Sequence, residues 1–162
     1  MKLMVSQNAP FLPIKDAWDA GSGDMLPIND DEARKQVEEI NAKVLSNRKP
    51  SYGIKGGLYD AMKANGGEVL AVTNQEAENA AQLFTRTEGN DLEPAAAVAV
   101  ASLIQAVNKG KVEKDAIIML NITGGGIEKF KSEHEVTYLK PQIIFPLNPE
   151  PSLVYQKVKG LF

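Results

Sequence analysis

The amino-acid sequence predicts an α/β fold with an open, mostly parallel sheet. Two apolar runs bounded by turn residues, 68–72 and 116–120, have the length and composition of buried strands. Between them lie two segments with helical periodicity, 74–87 and 94–108. A strand–helix–helix–strand order is typical of α/β proteins, in which the crossover rule makes the strands parallel. We therefore expect 68–72 and 116–120 to be neighbouring or near-neighbouring parallel strands, with both helices packed on the sheet.

The first fifty residues predict a short strand, a loop and a helix. Residues 3–5 are apolar and are a candidate first strand, whereas 6–28 is rich in proline and glycine, which favours a loop. Trp18 in that loop is better explained by packing than by stacking on a ligand. In 29–45, acidic residues follow an asparagine and apolar residues then recur at steps of three or four, which predicts a helix. Pro50 marks the limit of that helix.

Helix-start and helix-stop signals divide the middle of the chain. A short helix is predicted over 58–63, before a glycine-rich turn and the strand at 68–72. Thr73 and Glu76 have the spacing of a capping box at the start of the next helix. Pro94 stands where the first turn of the alanine-rich helix accepts proline, and Gly110 follows the end of that helix.

The C-terminal residues are less regular. Residues 142–146 are a candidate edge strand between two prolines, and 153–162 predicts a short helix or an arm. We interpret 1–162 as a single α/β domain with a loop-rich lead-in at 1–28 and a C-terminal extension at 127–162.

Composition excludes several classes of protein. The 162 residues carry a net charge of −3 with dispersed lysine and arginine, so no basic stripe is present to follow a nucleic-acid backbone. No apolar run approaches the ~20 residues of a membrane helix, and the first residues do not resemble a signal peptide. Cysteine is absent and His134 is the one histidine, flanked by acidic residues, so we expect no metal site and no histidine base. This composition fits a cytoplasmic protein.

The most informative motif is Thr123-Gly124-Gly125-Gly126, directly after the apolar run at 116–120. In an open α/β sheet, ligands bind beyond the carboxyl ends of the strands. Glycine at that place lets the backbone approach a ligand closely or adopt a positive φ. An ordinary glycine turn capped by Thr123 is an alternative explanation of the same four residues.

The order of motifs around this loop resembles the C-terminal half of the threonine synthase-like, fold-type II pyridoxal-phosphate enzymes. Three further segments resemble the cysteate synthase branch of that family. The motifs that resemble the family are, in chain order, Glu88-Gly89, Glu93-Pro94 with the alanine-rich helix, Gly110, the apolar run and the glycine loop. The three segments that resemble the branch are 6–10, 53–61 and 121–126.

The resemblance implies a three-layer fold with helices on both faces of the sheet and pyridoxal phosphate as the cofactor. It places the Thr123 hydroxyl at the pyridine nitrogen, with Gly124, Gly125 and Glu88 near the cofactor. A neutral partner there suits replacement at the β-carbon, because a carboxylate would hold the ring nitrogen protonated. Lys55 and Gly56 would meet the anionic substrates, which for the branch are phosphoserine and sulfite in coenzyme M biosynthesis. A solvated loop lysine and a plain helix C-cap are the alternative explanations of Lys55 and Glu88.

The resemblance also implies that the Schiff-base lysine and the phosphate-binding glycine loop precede Met1. We therefore expect a C-terminal part of a lyase- or transferase-type enzyme that has no catalytic residue of its own, is inactive alone and belongs to a homo-oligomer. Two other hypotheses remain open. One is a threonine synthase fragment, and the other is a free-standing anion-binding regulatory domain or structural module.

Overall fold

The computed structural model describes residues 1–161, which form two units. The first unit is Met1–Phe130, and the second begins at Lys131. The first contains β1 (Met4–Asn8), α1 (Pro13–Asp19), α2 (Asp30–Glu39), a 3-10 turn (Lys43–Leu45), α3 (Leu58–Asn65), β2 (Glu68–Val72), α4 (Asn74–Glu88) and α5 (Pro94–Asn108). Helix α6 (Ile127–Glu133) begins in the first unit, and α7 (Pro151–Lys159) lies in the second.

The sheet in the described residues consists of β1 and β2, which are parallel and in register from Met4 opposite Glu68 to Asn8 opposite Val72. The predicted strand at 68–72 is confirmed, and the short apolar run at 3–5 marks the start of a strand that extends to Asn8. The two carboxyl ends therefore lie side by side.

Helices cover both faces of this sheet, which confirms the α/β fold class. Alternate side chains of β2 point to opposite faces, as the two-residue period of a strand requires. Val72 packs with α4 and α5, whereas Val69 packs with α1 and α3. The α4–α5 cluster is built largely of alanine and valine, because small side chains let both helices approach the sheet: Ala77, Ala80, Ala97, Val98, Val100 and Ala101.

The two long helices have the termini that the sequence predicts. The Thr73 hydroxyl accepts from the Glu76 amide at 3.2 Å, and the Glu76 carboxylate accepts from the Thr73 amide at 2.8 Å, which completes the capping box. Gln105 of α5 donates to the same carboxylate at 2.7 Å. Burial raises the pKa of Glu76, but the hydrogen bonds from Thr73 and Gln105 outweigh it and the pKa is lowered. Glu76 therefore stays charged and joins α4 to α5.

Helix α2 ends earlier than the periodicity predicts. It stops at Glu39 instead of Leu45, and Ile40 is extended. Two long-range side chains cause this, since the amide of Asn41 donates to Asn74 at 2.9 Å and that of Ala42 donates to Asn8 at 3.0 Å. Amides engaged in this way cannot donate to carbonyls one helical turn back.

The segment predicted as loop contains helix α1. Pro13 occupies its first turn, and the Gln7 side chain accepts from the Lys15 amide at 2.9 Å. Trp18 packs edge-to-face against Tyr59 with ring centroids 5.8 Å apart, which confirms its packing role.

The prediction of a strand at 116–120 is wrong, and so is the candidate strand at 142–146. Neither segment forms a ladder in the described structure. Ile117, Ile118 and Met119 are exposed, and Leu120 alone of 116–120 packs on the α4–α5 cluster. A continuous apolar run forms a buried strand only when neighbouring strands and helices cover it, and the described residues provide none here. The helical alternative at 153–162 is confirmed by α7, with Phe162 outside the described residues.

Asn8 links the elements at the carboxyl end of the sheet. Its side chain is 1% exposed, donates to the Val72 carbonyl at 3.0 Å and to Asn74 Oδ1 at 3.1 Å, and accepts from the Ala42 amide at 3.0 Å. Asn74 in turn donates to the Glu39 carbonyl at 2.8 Å. Two strands, the start of α4 and the chain after α2 thus meet at one buried amide.

Replacing Asn8 by alanine is expected to destabilise the protein by about 1–3 kcal/mol, because the Ala42 amide loses its partner at a buried place, whereas the Val72 carbonyl keeps the bond from the Ala9 amide at 2.7 Å. Urea unfolding measures this change. Asn79→Ala is the matched control and should cost under about 0.5 kcal/mol, since Asn79 is exposed on α4 and its side chain accepts from Gln75 at the surface. Equal midpoints for the Asn8 variant and the wild type would contradict the role given to Asn8.

Candidate functional site

The glycine loop docks on the turn that precedes α5. The Glu93 amide donates to the Gly124 carbonyl at 3.1 Å, and the Gly126 amide donates to the Asp91 carbonyl at 2.8 Å. These bonds flank an antiparallel bridge between Leu92 and Gly125. The loop therefore has a fixed place beside the N-terminus of α5.

Asp91 also binds the start of helix α6, which follows the glycine loop. Its carboxylate accepts from the backbone amides of Glu128 at 3.0 Å and Lys129 at 3.1 Å. The hydrogen bonds from Glu128 and then Lys129 lower the pKa of Asp91, although the residue is close to solvent. Sequence reasoning missed Asp91; its one signal is an aspartate in the short turn between two predicted helices, a position where aspartate often binds backbone amides.

Steric contact with this turn explains two of the three glycines. A Cβ on Gly125 would lie 2.3 Å from the Asp91 carbonyl oxygen, and a Cβ on Gly124 would lie 2.9 Å from Glu93 Cγ. Positive φ is required only at Gly126, at +77°. Gly124 and Gly125 are thus needed for close approach to the chain itself, and their predicted contact with the cofactor remains a prediction.

The side chain of Thr123, which precedes the three glycines, is exposed. Among the described residues no hydrogen bond engages its hydroxyl, so a turn-capping role has no support there. Glu88 is exposed at the end of α4, where Gly89 has a φ of +73° and donates to the Thr85 carbonyl at 3.0 Å. The helix C-cap is confirmed for Gly89, and a cofactor contact for Glu88 stays a prediction.

Lys55 and Gly56 lie on a separate turn that leads into α3. Gly56 has a φ of +74°, and its amide donates to Asp60 Oδ2 at 2.7 Å. The Gly57 amide donates to the Ile54 carbonyl at 2.7 Å. Lys55 is exposed at the tip of this turn. In the described part of the chain no hydrogen bond joins this turn to the glycine loop.

A cavity of about 1190 Å³ lies beside that turn, between residues 24–30 and 46–54. Arg48 and Lys49 line it, whereas Lys55 does not. From the sequence, these two basic residues are interpreted only as part of the segment that ends a helix. Their signal is weak, since adjacent basic residues before a proline are common on surfaces.

Residues 1–161 offer neither a membrane-spanning helix nor a metal site. None of the helices there is both long and apolar enough to cross a bilayer. The same residues contain no group of three or more side chains arranged to hold a metal ion, and His134 is exposed.

Comparison with known proteins assigns the family. The family described as pyridoxal-phosphate dependent enzyme matches residues 7–124, from β1 to the glycine loop. The chain belongs to this family. It is 48% identical to the cysteate synthase of Methanocella paludicola over 141 residues, which cover 86% of this chain and 33% of that protein. It is 46% identical to the cysteate synthase of Methanosarcina mazei, over 88% of this chain and 34% of that protein, and 43% identical to that of Methanosarcina barkeri, over 97% and 38%.

These matches confirm the family and the branch that the sequence motifs indicated. The chain spans about a third of the length of the curated relatives it matches. Pyridoxal phosphate, the cofactor that the family's description gives, has a ring nitrogen that can accept a hydrogen bond, and Thr123 is the donor predicted for it. Thr123 offers an exposed hydroxyl, held at the mouth of a loop whose backbone is fixed by Asp91 and Glu93.

Replacing Gly125 by alanine is expected to detach the glycine loop, because the new Cβ clashes with the Asp91 carbonyl. Overpacking of this kind costs about 1–3 kcal/mol. Hydrogen exchange at the amides of Glu93 and Gly126 should quicken. Gly160→Ala is the control, since Gly160 has a φ of −76° and a Cβ there would meet no heavy atom closer than 3.6 Å. Unchanged exchange at both amides in the Gly125 variant would rule out the docking described here.

Proposed function

We propose that this chain forms the C-terminal part of a pyridoxal-phosphate dependent enzyme that converts phosphoserine and sulfite to cysteate and phosphate. The observation that carries the proposal is the 42–48% identity to cysteate synthases of several methanogenic archaea. In this reaction the bond between the β-carbon and the phosphate oxygen breaks, phosphate leaves, and sulfur forms a new bond to the same carbon. No net oxidation of the carbon skeleton is needed.

Thr123 has the main role in this proposal. Bound pyridoxal phosphate supplies an electron sink for the negative charge that develops on the α-carbon. The Thr123 hydroxyl would donate to the pyridine nitrogen and leave it uncharged. An uncharged ring is a weaker sink, which favours loss of a β-substituent over transamination.

The other residues position the substrate and the ring. Gly124 and Gly125 would keep the loop close to the turn at 91–93 so that Thr123 faces the cofactor, and Glu88 lies at the end of the helix before that turn. Lys55 and Gly56 are the predicted substrate contacts. We assign the Schiff base to no lysine of this chain. We further propose a cytoplasmic homo-oligomer, as the resemblance to the family implies.

The reaction itself is the first test. The full-length enzyme that contains this chain, loaded with pyridoxal phosphate, should form cysteate from phosphoserine and sulfite, measured by mass spectrometry. The 162-residue chain alone should form none, because no lysine in it is assigned to the cofactor. Formation of threonine instead of cysteate by the full-length enzyme, or cysteate formation by the chain alone, would contradict the proposal.

Replacing Thr123 by valine tests its role, because valine keeps the shape and removes the hydroxyl. Losing one neutral hydrogen bond costs ~0.5–1.5 kcal/mol, and an unsatisfied buried acceptor costs ~1–3 kcal/mol. Since ~1.4 kcal/mol is one factor of ten, turnover should fall about tenfold to a hundredfold and cofactor affinity should weaken. Thr123→Ser, which keeps the hydroxyl, is the control. A lower melting temperature with unchanged cofactor affinity would assign Thr123 to the turn instead.

A further inference from the structure

The cavity between residues 24–30 and 46–54 has a wall that is held in place by buried contacts. Tyr52 is completely buried, and its hydroxyl donates to the Ser22 carbonyl at 3.0 Å. A Cβ on Gly53 would lie 2.5 Å from the Gly23 carbonyl oxygen, so the two backbones touch. The chain is therefore anchored at Tyr52 and Gly53, three to five residues after Arg48 and Lys49.

The two basic residues on this wall differ in their ion pairs. Arg48 donates through Nη1 to Asp30 Oδ1 at 2.7 Å in a solvent-exposed ion pair, and Asp30 lines the same cavity. The other N–H groups of the guanidinium lie outside this pair. Lys49 forms no ion pair and no side-chain hydrogen bond with any described residue, although its backbone amide donates to Asn47 at 3.0 Å. Lys49 is exposed and lines an open cavity together with Arg48 and the carboxylates of Asp24 and Asp30, and no described carboxylate pairs with its ammonium group.

We propose that this cavity binds the oxyanion group of a substrate, with the Lys49 ammonium as the point charge and Arg48 as a second donor. The ligand chemistry is a small oxyanion, either the phosphate of a phosphorylated amino acid or free sulfite. The proposal rests on the substrate class of the proposed function. It moves the main anion contact from Lys55, which lies outside the cavity lining, to Lys49, which is equally exposed but lines the cavity.

Asp24 gives the proposal a test of opposite sign. It lines the same cavity, and no ion pair engages it within residues 1–161. Its carboxylate repels an anion, since two like charges placed close together raise the free energy of binding. Removing the Lys49 charge should weaken binding of an oxyanion, and removing the Asp24 charge should strengthen it.

The experiment is a calorimetric titration of the full-length enzyme with phosphoserine, with sulfite and with serine, each at low and high salt. We expect Lys49→Gln to weaken oxyanion binding about fivefold to tenfold, the loss of up to ~1.4 kcal/mol. Lys49→Arg should restore it, and Asp24→Asn should tighten it about twofold to threefold. Serine, which lacks the phosphate, should show no dependence on Lys49, and Lys35→Gln on the exposed face of α2 is the matched lysine control.

The separate titrations distinguish phosphoserine from sulfite as the ligand, and they distinguish the cavity proposal from the proposed reaction. Dependence on Lys49 for phosphoserine assigns the cavity to the phosphate, and dependence for sulfite assigns it to the attacking anion. A larger effect of Lys55→Gln than of Lys49→Gln, or equal affinities in the Lys49 and Asp24 variants, would overturn the cavity proposal. Phosphoserine and sulfite are titrated separately, so no cysteate can form during the titration. Absence of cysteate formation when both substrates are supplied, together with Lys49-dependent binding, would overturn the proposed reaction and leave the cavity assignment standing.

Discussion

The buried amide of Asn8 is the interaction on which the rest of the first unit depends. A primary amide can satisfy a carbonyl, an amide N–H and a second side chain at once, and Asn8 does so for Val72, Ala42 and Asn74. Without Asn8 the Ala42 amide would be unpaired at a buried place, which costs free energy, whereas the Val72 carbonyl and Asn74 Oδ1 each accept a second hydrogen bond. The strands, the start of α4 and the chain that follows α2 are therefore held in one arrangement at the carboxyl end of the sheet.

The glycine loop is connected to this arrangement through the α4–α5 cluster. Val72 precedes α4 and packs in the cluster with Val98 of α5. Leu92 and Leu120, on the two sides of the docked loop, pack against the same cluster. The position of Thr123 is thus determined by hydrophobic packing and by a short backbone ladder, and its hydroxyl remains available because the ladder uses only main-chain groups.

The sequence alone predicts the ends of those helices whose termini are set by residues next to them in the chain. The capping box at Thr73 and Glu76 and the proline at the start of α5 both have local causes, and both were predicted. The end of α2 was not, because the side chains that capture its next amides come from β1 and α4. The run at 116–120 was misassigned because its burial depends on partners that composition does not reveal. Thr123 was found from its motif, whereas Asp91 and the cations at Arg48 and Lys49 acquire a role only through the fold.

The most direct test of the site is the protonation state of the cofactor ring in the full-length enzyme. Pyridoxal phosphate labelled with 15N at the pyridine nitrogen reports that state by its chemical shift. With wild-type enzyme we expect the shift of an uncharged, hydrogen-bonded nitrogen, and with Thr123→Val a change toward an uncharged nitrogen without a donor. A protonated nitrogen in the wild type, or the same shift in both proteins, would contradict the placement of the Thr123 hydroxyl at the ring.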